Sequence, residues 1–287
     1  GKTHLLAALR RYALSHGLSF VLVDMTDVHD FWTTALQGYV DSLQQPEADG
    51  VPQFHKLLDF LIKETKVAFT REQLAQAERR HVGWYVNELL NALNKRHPRE
   101  VIKHQDVIRA LVLLNSDSFV VTNIGYSWLL GLGVDEQEGA DFRFAFNRLA
   151  DPSKIVEGLS WLLSLRAPTL LALDQLDSIV SQHYLAAGSR AVEDLSDEQR
   201  VSRSIIESIS GGLLALRDKT ARTLSLLSCL EATWDILSHI AVTPVRGRFH
   251  EPLLLGPILV RQAAEQIVAA RLLEAYTQVN FVPPYAT

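Results

Sequence analysis

Three short apolar runs constrain the fold of this 287-residue chain more than anything else in it. They are Leu18 to Asp24, Thr169 to Leu173 and Thr223 to Cys229. Neither of the first two alternates apolar and polar residues throughout as a half-exposed strand does. Continuous runs of this length, set off by breakers such as Gly17 and Pro168, suit strands buried on both faces, the pattern of a parallel sheet covered by helices. The stretches between them carry apolar residues at helical spacing, so the expected class is α/β.

The chain opens on Gly1-Lys2-Thr3-His4-Leu5-Leu6, and Leu5, Leu6, Leu9, Tyr12 and Ala13 continue at helical spacing until Gly17. Gly-Lys-Thr at the start of a helix looks like the tail of the phosphate loop G-x-x-x-x-G-K-[ST], in which the lysine reaches the β- and γ-phosphates and the hydroxyl meets Mg²⁺; the alternative is that the tripeptide, common in itself, carries no such role. The second run leads through Leu170-Leu171-Ala172-Leu173 into Asp174, followed by Gln175, Leu176 and Asp177. Apolar residues running into an acid place a carboxylate at the ligand-binding edge of a parallel sheet. Asp174 is the expected Mg²⁺ partner, acting through water. Gln175 can orient a water but cannot take its proton at neutral pH. Asp177 is either the carboxylate that does so or the cap of a helix beginning at Ser178.

Between about 47 and 160 helical patterns dominate: Phe54 to Glu64, Arg71 to Lys95 and Pro98 to Asn115. This is far longer than the ~2 to 6 residues that join strand and helix in α/β units, so it reads as a helical insertion. Within it, Ser118 to Thr122 is expected as a short strand and Gly125 to Gly139 as an irregular loop. Ile155 to Leu165 resumes the helical pattern. Ser196 and Gln199 have the spacing of a capping box for a helix to about Asp218. Ala232 to Ile240, an edge strand at Leu253 to Leu255, and a helix over Leu259 to Val279 complete the expected order.

These features together resemble the AAA+/STAND class of P-loop NTPases over about 1–45 and 160–275. The residues that carry the resemblance are the Gly-Lys-Thr-His-Leu-Leu opening, the Asp-Gln-Leu-Asp strand end, the strand ending Leu227-Ser228-Cys229-Leu230-Glu231, and Arg246-Gly247-Arg248-Phe249. The Phe281-Val282-Pro283-Pro284-Tyr285 tail is in addition similar to ATP-binding proteins of bacterial phage-defence systems of the BREX and Pgl type. The resemblance implies an ATPase that couples nucleotide to conformational change in a larger assembly. Gly1, Lys2, Thr3 and His4 would bind nucleotide, and Thr3 and Asp174 would hold Mg²⁺. Ser228 would be a polar sensor, Asp177 or Glu231 a water-positioning carboxylate, and Arg248, or else Arg246, a finger stabilising transition-state charge. The alternative roles are a buried serine bonded to backbone for Ser228, a helix N-terminal charge for Glu231 and a solvated loop arginine for Arg248. Gln175 departs from the acid of that class, and neither Arg261 nor Arg271 is marked as a second sensor.

The expected architecture is therefore a P-loop parallel sheet with a large helical insertion, divided as 1–46, 47–160, 161–258 and 259–287. The resemblance puts the strand preceding the loop between Thr223–Cys229 and Leu253, so Gly1 is expected to be an artificial start. A formal charge of −5 with a pI near 6.1 does not support nucleic-acid binding. Protein partners or a homo-oligomer are expected instead, in the cytoplasm and away from membranes, since no apolar run reaches the ~20 residues of a spanning helix. One cysteine, Cys229, excludes an intrachain disulfide and reads as an inert buried thiol, and the ten histidines lack metal-ligand spacing. The alternative function is a nucleotide-binding scaffold or signalling switch without turnover.

Overall fold

All three apolar runs are strands, and they lie side by side. β1 (Ser19–Asp24), β2 (Thr169–Asp174) and β3 (Thr223–Leu227) form a parallel sheet in the order β1-β2-β3. Register pairs Phe20 with Leu170, Ala172 with Leu226, and Asp24 with Asp174. The computed structural model describes residues 2–28, 30–47, 49–145, 150–187, 196–240, 249–250, 252–256 and 259–278. They divide into a unit spanning Lys2–His250, which holds the sheet, and a C-terminal unit from Glu251 onward, whose one described helix is α13 (Arg261–Gln278).

Alternation along the strands sorts the sheet's two faces. Odd-numbered Val21, Val23, Leu171 and Leu173 join the main core. Even-numbered Phe20 and Ala172 form a smaller cluster with Leu6 and Ala13 of α1 (Lys2–Ser15), flanked by Leu170 and Leu226. α1 thus lies over the even face, and its return to β1 turns on Gly17, whose φ of +72° suits a residue without a Cβ.

The odd face is covered by helices. α2 (Phe31–Gln44) starts where Asp30 accepts a hydrogen bond from the Thr33 N–H, and it lies so close to β1 that a Cβ on Gly38 would sit 2.7 Å from the Leu22 carbonyl oxygen. Beyond it come α3 (Gln53–Thr65), α4 (Arg71–Ala75), α5 (Arg79–Asn94), α6 (Pro98–Leu114), α7 (Phe119–Leu129), α8 (Glu136–Asp141) and α9 (Pro152–Arg166). Leu57, Leu89, Ile108, Leu111, Leu159 and Leu162 from this region belong to the same core as the odd face of the sheet. The segment between 47 and 160 therefore packs against the sheet within one unit. α10 (Leu176–Ala187), α11 (Asp197–Lys219) and α12 (Glu231–Ile240) complete it, and α11 opens on the expected capping box of Ser196 and Gln199.

Four local expectations are corrected. Ser118 to Thr122 is not a strand: Phe119–Leu129 is helical, burying Val121, Ile124 and Trp128 on one face. Gly125 to Gly139 is mostly helix, divided between α7 and α8. Arg71 to Lys95 is broken into α4 and α5. Leu253 to Leu255 is not a strand, and its three leucines are exposed.

The two edges of the sheet differ. Outside β1, the buried Gln53 side chain receives a hydrogen bond from the Phe20 N–H at 3.0 Å and donates to the Phe20 carbonyl at 2.8 Å, while the Leu22 N–H donates to Ser42 Oγ at 2.9 Å. Side chains thus occupy the backbone groups that an edge strand leaves open. Outside β3 no strand pairs among the described residues, and the strand is nowhere fully buried.

Candidate functional site

The even face converges on a polar cluster at the C-terminal edge of the sheet. Asp24 and Asp174 end β1 and β2 in register, each two residues beyond an even-face position, so both carboxylates project from the side that α1 covers. Ser228 follows β3 with the same parity, and its N–H donates to the Leu173 carbonyl at 2.9 Å. Three adjacent strands thus present a polar side chain on one face at one edge, the place where open parallel sheets bind ligands.

Lys2 in the first turn of α1 ties that helix to this edge. Its Nζ is ion-paired with Asp177 Oδ2. Asp177 Oδ1 accepts from the Leu230 N–H at 2.6 Å and from Thr233 Oγ1–H at 2.8 Å. One carboxylate therefore joins the start of α1, the first turn of α10 and the start of α12. Burial raises the Asp177 carboxyl, but the hydrogen bonds from Lys2, Leu230 and Thr233 and the Lys2 charge outweigh it, and the net displacement is downward. Asp177 lies inside the first turn of α10 and does not cap it: the expected helix start at Ser178 is corrected to Leu176.

Asp174 is 8% exposed and receives no side-chain hydrogen bond from the described residues. Neither of its carboxylate oxygens is among the fully buried unpartnered atoms, so they reach solvent at the sheet edge. Ser228 Oγ is buried with no hydrogen-bond partner, so the backbone-bonded alternative for this serine does not hold. Thr3 and His4 are exposed beside Lys2 at the open end of α1, where free N–H groups and the helix dipole favour anions. Gln175 links β2 to α10 with a φ of +68° and an exposed side chain. A non-glycine residue in that region stores strain of a kind that gathers at functional sites.

Glu231 opens α12 as an exposed first-turn acid, suited to the helix dipole. Cys229 sits between Ser228 and this helix; burial, with the Asp177 charge adding to it, pushes its thiol up to about 11. Arg246, Arg248 and Gly1 lie outside the described residues. Phe249, immediately after Arg248, packs edge-on against Trp234 of α12 at 5.8 Å. In the C-terminal unit Arg261 is exposed and paired with Glu265, and the side chain of Arg271 lies outside the described residues.

The structure thus gathers Lys2, Asp174, Asp177 and Ser228 at one sheet edge. Asp24 belongs to the same edge but was not singled out in the sequence as a site residue. Its signal was present, since Val21-Leu22-Val23-Asp24 has the same apolar-run-into-acid form as Leu171-Ala172-Leu173-Asp174. No family model matches this chain, and neither curated proteins nor solved structures yield a match. No helix among the described residues is long and apolar enough to cross a membrane.

Proposed function

We propose that this edge binds a nucleoside triphosphate, ATP, with Mg²⁺, and that the chain is an ATPase subunit of a larger protein assembly. The observation that carries the reading is the ion pair of Lys2 with Asp177, which brings the Gly-Lys-Thr helix start to the strand end that displays Asp174. Lys2 supplies an ammonium to the β- and γ-phosphates, and the open turn of α1 supplies N–H donors. Thr3 and Asp174 hold the metal. Among the described residues no three His, Cys, Asp or Glu side chains gather to bind a metal on their own. That suits Mg²⁺, which takes few protein ligands and draws the rest from water and phosphate.

The test is the thermal midpoint of the protein with and without Mg-ATP. Ligand at 100 times its dissociation constant stabilises the folded state by ~2.7 kcal/mol. The shift is expected in the wild type and absent in Lys2→Ala; a wild-type protein whose midpoint ignores Mg-ATP removes the proposal.

A second reading, a nucleotide-binding switch without turnover, is favoured by one observation. Asp177, a candidate to activate water, has both oxygens engaged by Lys2, Leu230 and Thr233, and Gln175 is an amide. ATP binding with phosphate release at background, alone and with partner proteins, would select it over the enzyme.

A further inference from the structure

Hydrolysis at this edge needs a carboxylate with an oxygen to spare, and the candidates are not equivalent. Asp177 Oδ1 accepts two hydrogen bonds and Oδ2 is paired with Lys2, so three of its about four lone-pair sites are taken in joining three helices, and the ammonium beside it weakens it as a proton acceptor. Gln175 has no basic site. Asp174 is the buried carboxylate assigned to the metal, and an acid on the metal is a poor proton acceptor.

Asp24 differs from all of these. It is the register partner of Asp174 on the neighbouring strand, on the same α1-covered face, yet it is exposed where Asp174 is buried. Its Oδ1 is fixed by two donors from one residue, the Thr26 N–H at 2.9 Å and the Thr26 hydroxyl. Its Oδ2 receives no hydrogen bond among the described residues. An acid with one oxygen anchored and the other open to solvent is oriented without being consumed. The Ser228 hydroxyl, buried without a partner, and the Asp174 carboxylate, which receives no side-chain hydrogen bond from the described residues, leave polar groups at this edge open to a ligand.

We infer that Asp24 is the general base for water at this site, an assignment that rests on the nucleotide reading above. A water oxygen attacks the γ-phosphorus of ATP while Asp24 Oδ2 takes one of the water's protons. The bond from the γ-phosphorus to the β–γ bridging oxygen breaks, and its electron pair leaves on the β-phosphate. The products are ADP and inorganic phosphate, and Asp24 returns the proton to solvent. Thr26 is a positioning residue that aims the carboxylate.

The experiment reads two quantities on the protein: the dissociation constant for Mg-ATP and the steady-state rate of phosphate release. In Asp24→Asn the rate is expected to fall about 10²- to 10⁴-fold, the usual range for a general base, with the dissociation constant within about threefold of wild type. Asp24→Glu, which keeps the carboxylate, is expected to recover part of the rate. If Asp24→Asn turns over like wild type while binding ATP, the assignment is wrong and the nucleotide site stands. Wild type that binds ATP without hydrolysing it likewise removes Asp24 as a base and leaves the binding site. Failure of wild type to bind Mg-ATP brings down both.

Discussion

Gln53 grips Phe20 as a neighbouring strand would: its side-chain oxygen accepts from the Phe20 N–H and its side-chain nitrogen donates to the Phe20 carbonyl, both across buried space. The same nitrogen donates to the Ser42 carbonyl at 2.8 Å. The amide of a single helical residue thus seals the outer edge of β1. Gln53→Ala would leave the Phe20 backbone groups without partners in the interior. The expected loss is about 1–3 kcal/mol of unfolding free energy, the usual cost of an unsatisfied buried group, read as a lower urea midpoint at unchanged slope. Ser42→Ala, which frees only the Leu22 N–H, should cost less; a Gln53→Ala midpoint equal to wild type would show that the edge is not held this way.

How much of this was legible in the sequence depends on whether the signal was local. β1 and β2 were readable because each is a short apolar run just after a breaker, Gly17 or Pro168, β3 because its leucines form a short run between two helical patterns, and α11 because Ser196 and Gln199 stand at capping-box spacing. The Ser118–Thr122 reading failed because a short apolar run does not choose between strand and helix. Here Val121, Ile124 and Trp128 fall on one helical face against α6, where Gly125 permits an approach of 2.6 Å between its Cβ position and the Ala110 carbonyl oxygen. Leu253 to Leu255 failed for the converse reason: apolar residues make a strand only where a neighbouring strand takes their backbone hydrogen bonds. At the site, Lys2 and Asp174 carried their own motifs. The engagement of Asp177 and the pairing of Asp24 with Asp174 are properties of register and helix placement, which no local pattern records.

Asp177 links stability to pH. Its folded-state pKa lies below its unfolded value, so the pair with Lys2 contributes stability above the ordinary carboxylate range near ~4. That contribution is lost as pH falls through the depressed folded value. Asp177→Asn should therefore be less stable than wild type at pH 7, with the difference shrinking as the solution is acidified below about 4. Chemical denaturation at several pH values reads it out, and a gap that stays constant down to pH 3 would mean the carboxylate charge is not what matters.

His104 should act in the opposite part of the scale. It is 3% exposed, breaks the helical backbone of α6 with φ −116° and ψ 17°, and stacks on Trp161 at 5.7 Å. Burial, then the Lys103 charge, holds the imidazole below its usual range, against the opposing pull of Glu157 and Glu100, with Lys219 adding to the depression. The folded state thus disfavours the protonated ring, while the unfolded chain takes the proton near ~6.5. Stability is fully present above that value and declines as pH falls below it, by at most about 1.4 kcal/mol per pH unit for one group, until the folded value is reached. His104→Gln should lose this component between pH 7.5 and 5.5, whatever its stability at pH 7.5; parallel curves for the two proteins would remove His104 as the source.

Cys229 offers a probe of the site that does not depend on turnover. Thiolate is the reactive form, and a thiol at about 11 is almost wholly protonated near pH 7.5. Alkylation by iodoacetamide should therefore be slow in the native protein, by more than the partial burial of the side chain alone explains, and fast in urea. Because the Asp177 carboxylate is the second cause of the elevation after burial, Asp177→Asn should accelerate the native reaction, while Glu231→Gln should leave it unchanged. Labelling rates followed by mass spectrometry at fixed pH separate the two. Equal acceleration by both substitutions would point to loosening of the α12 turn as the cause, and native labelling as fast as in urea would mean that Cys229 is not held beside Asp177 at all.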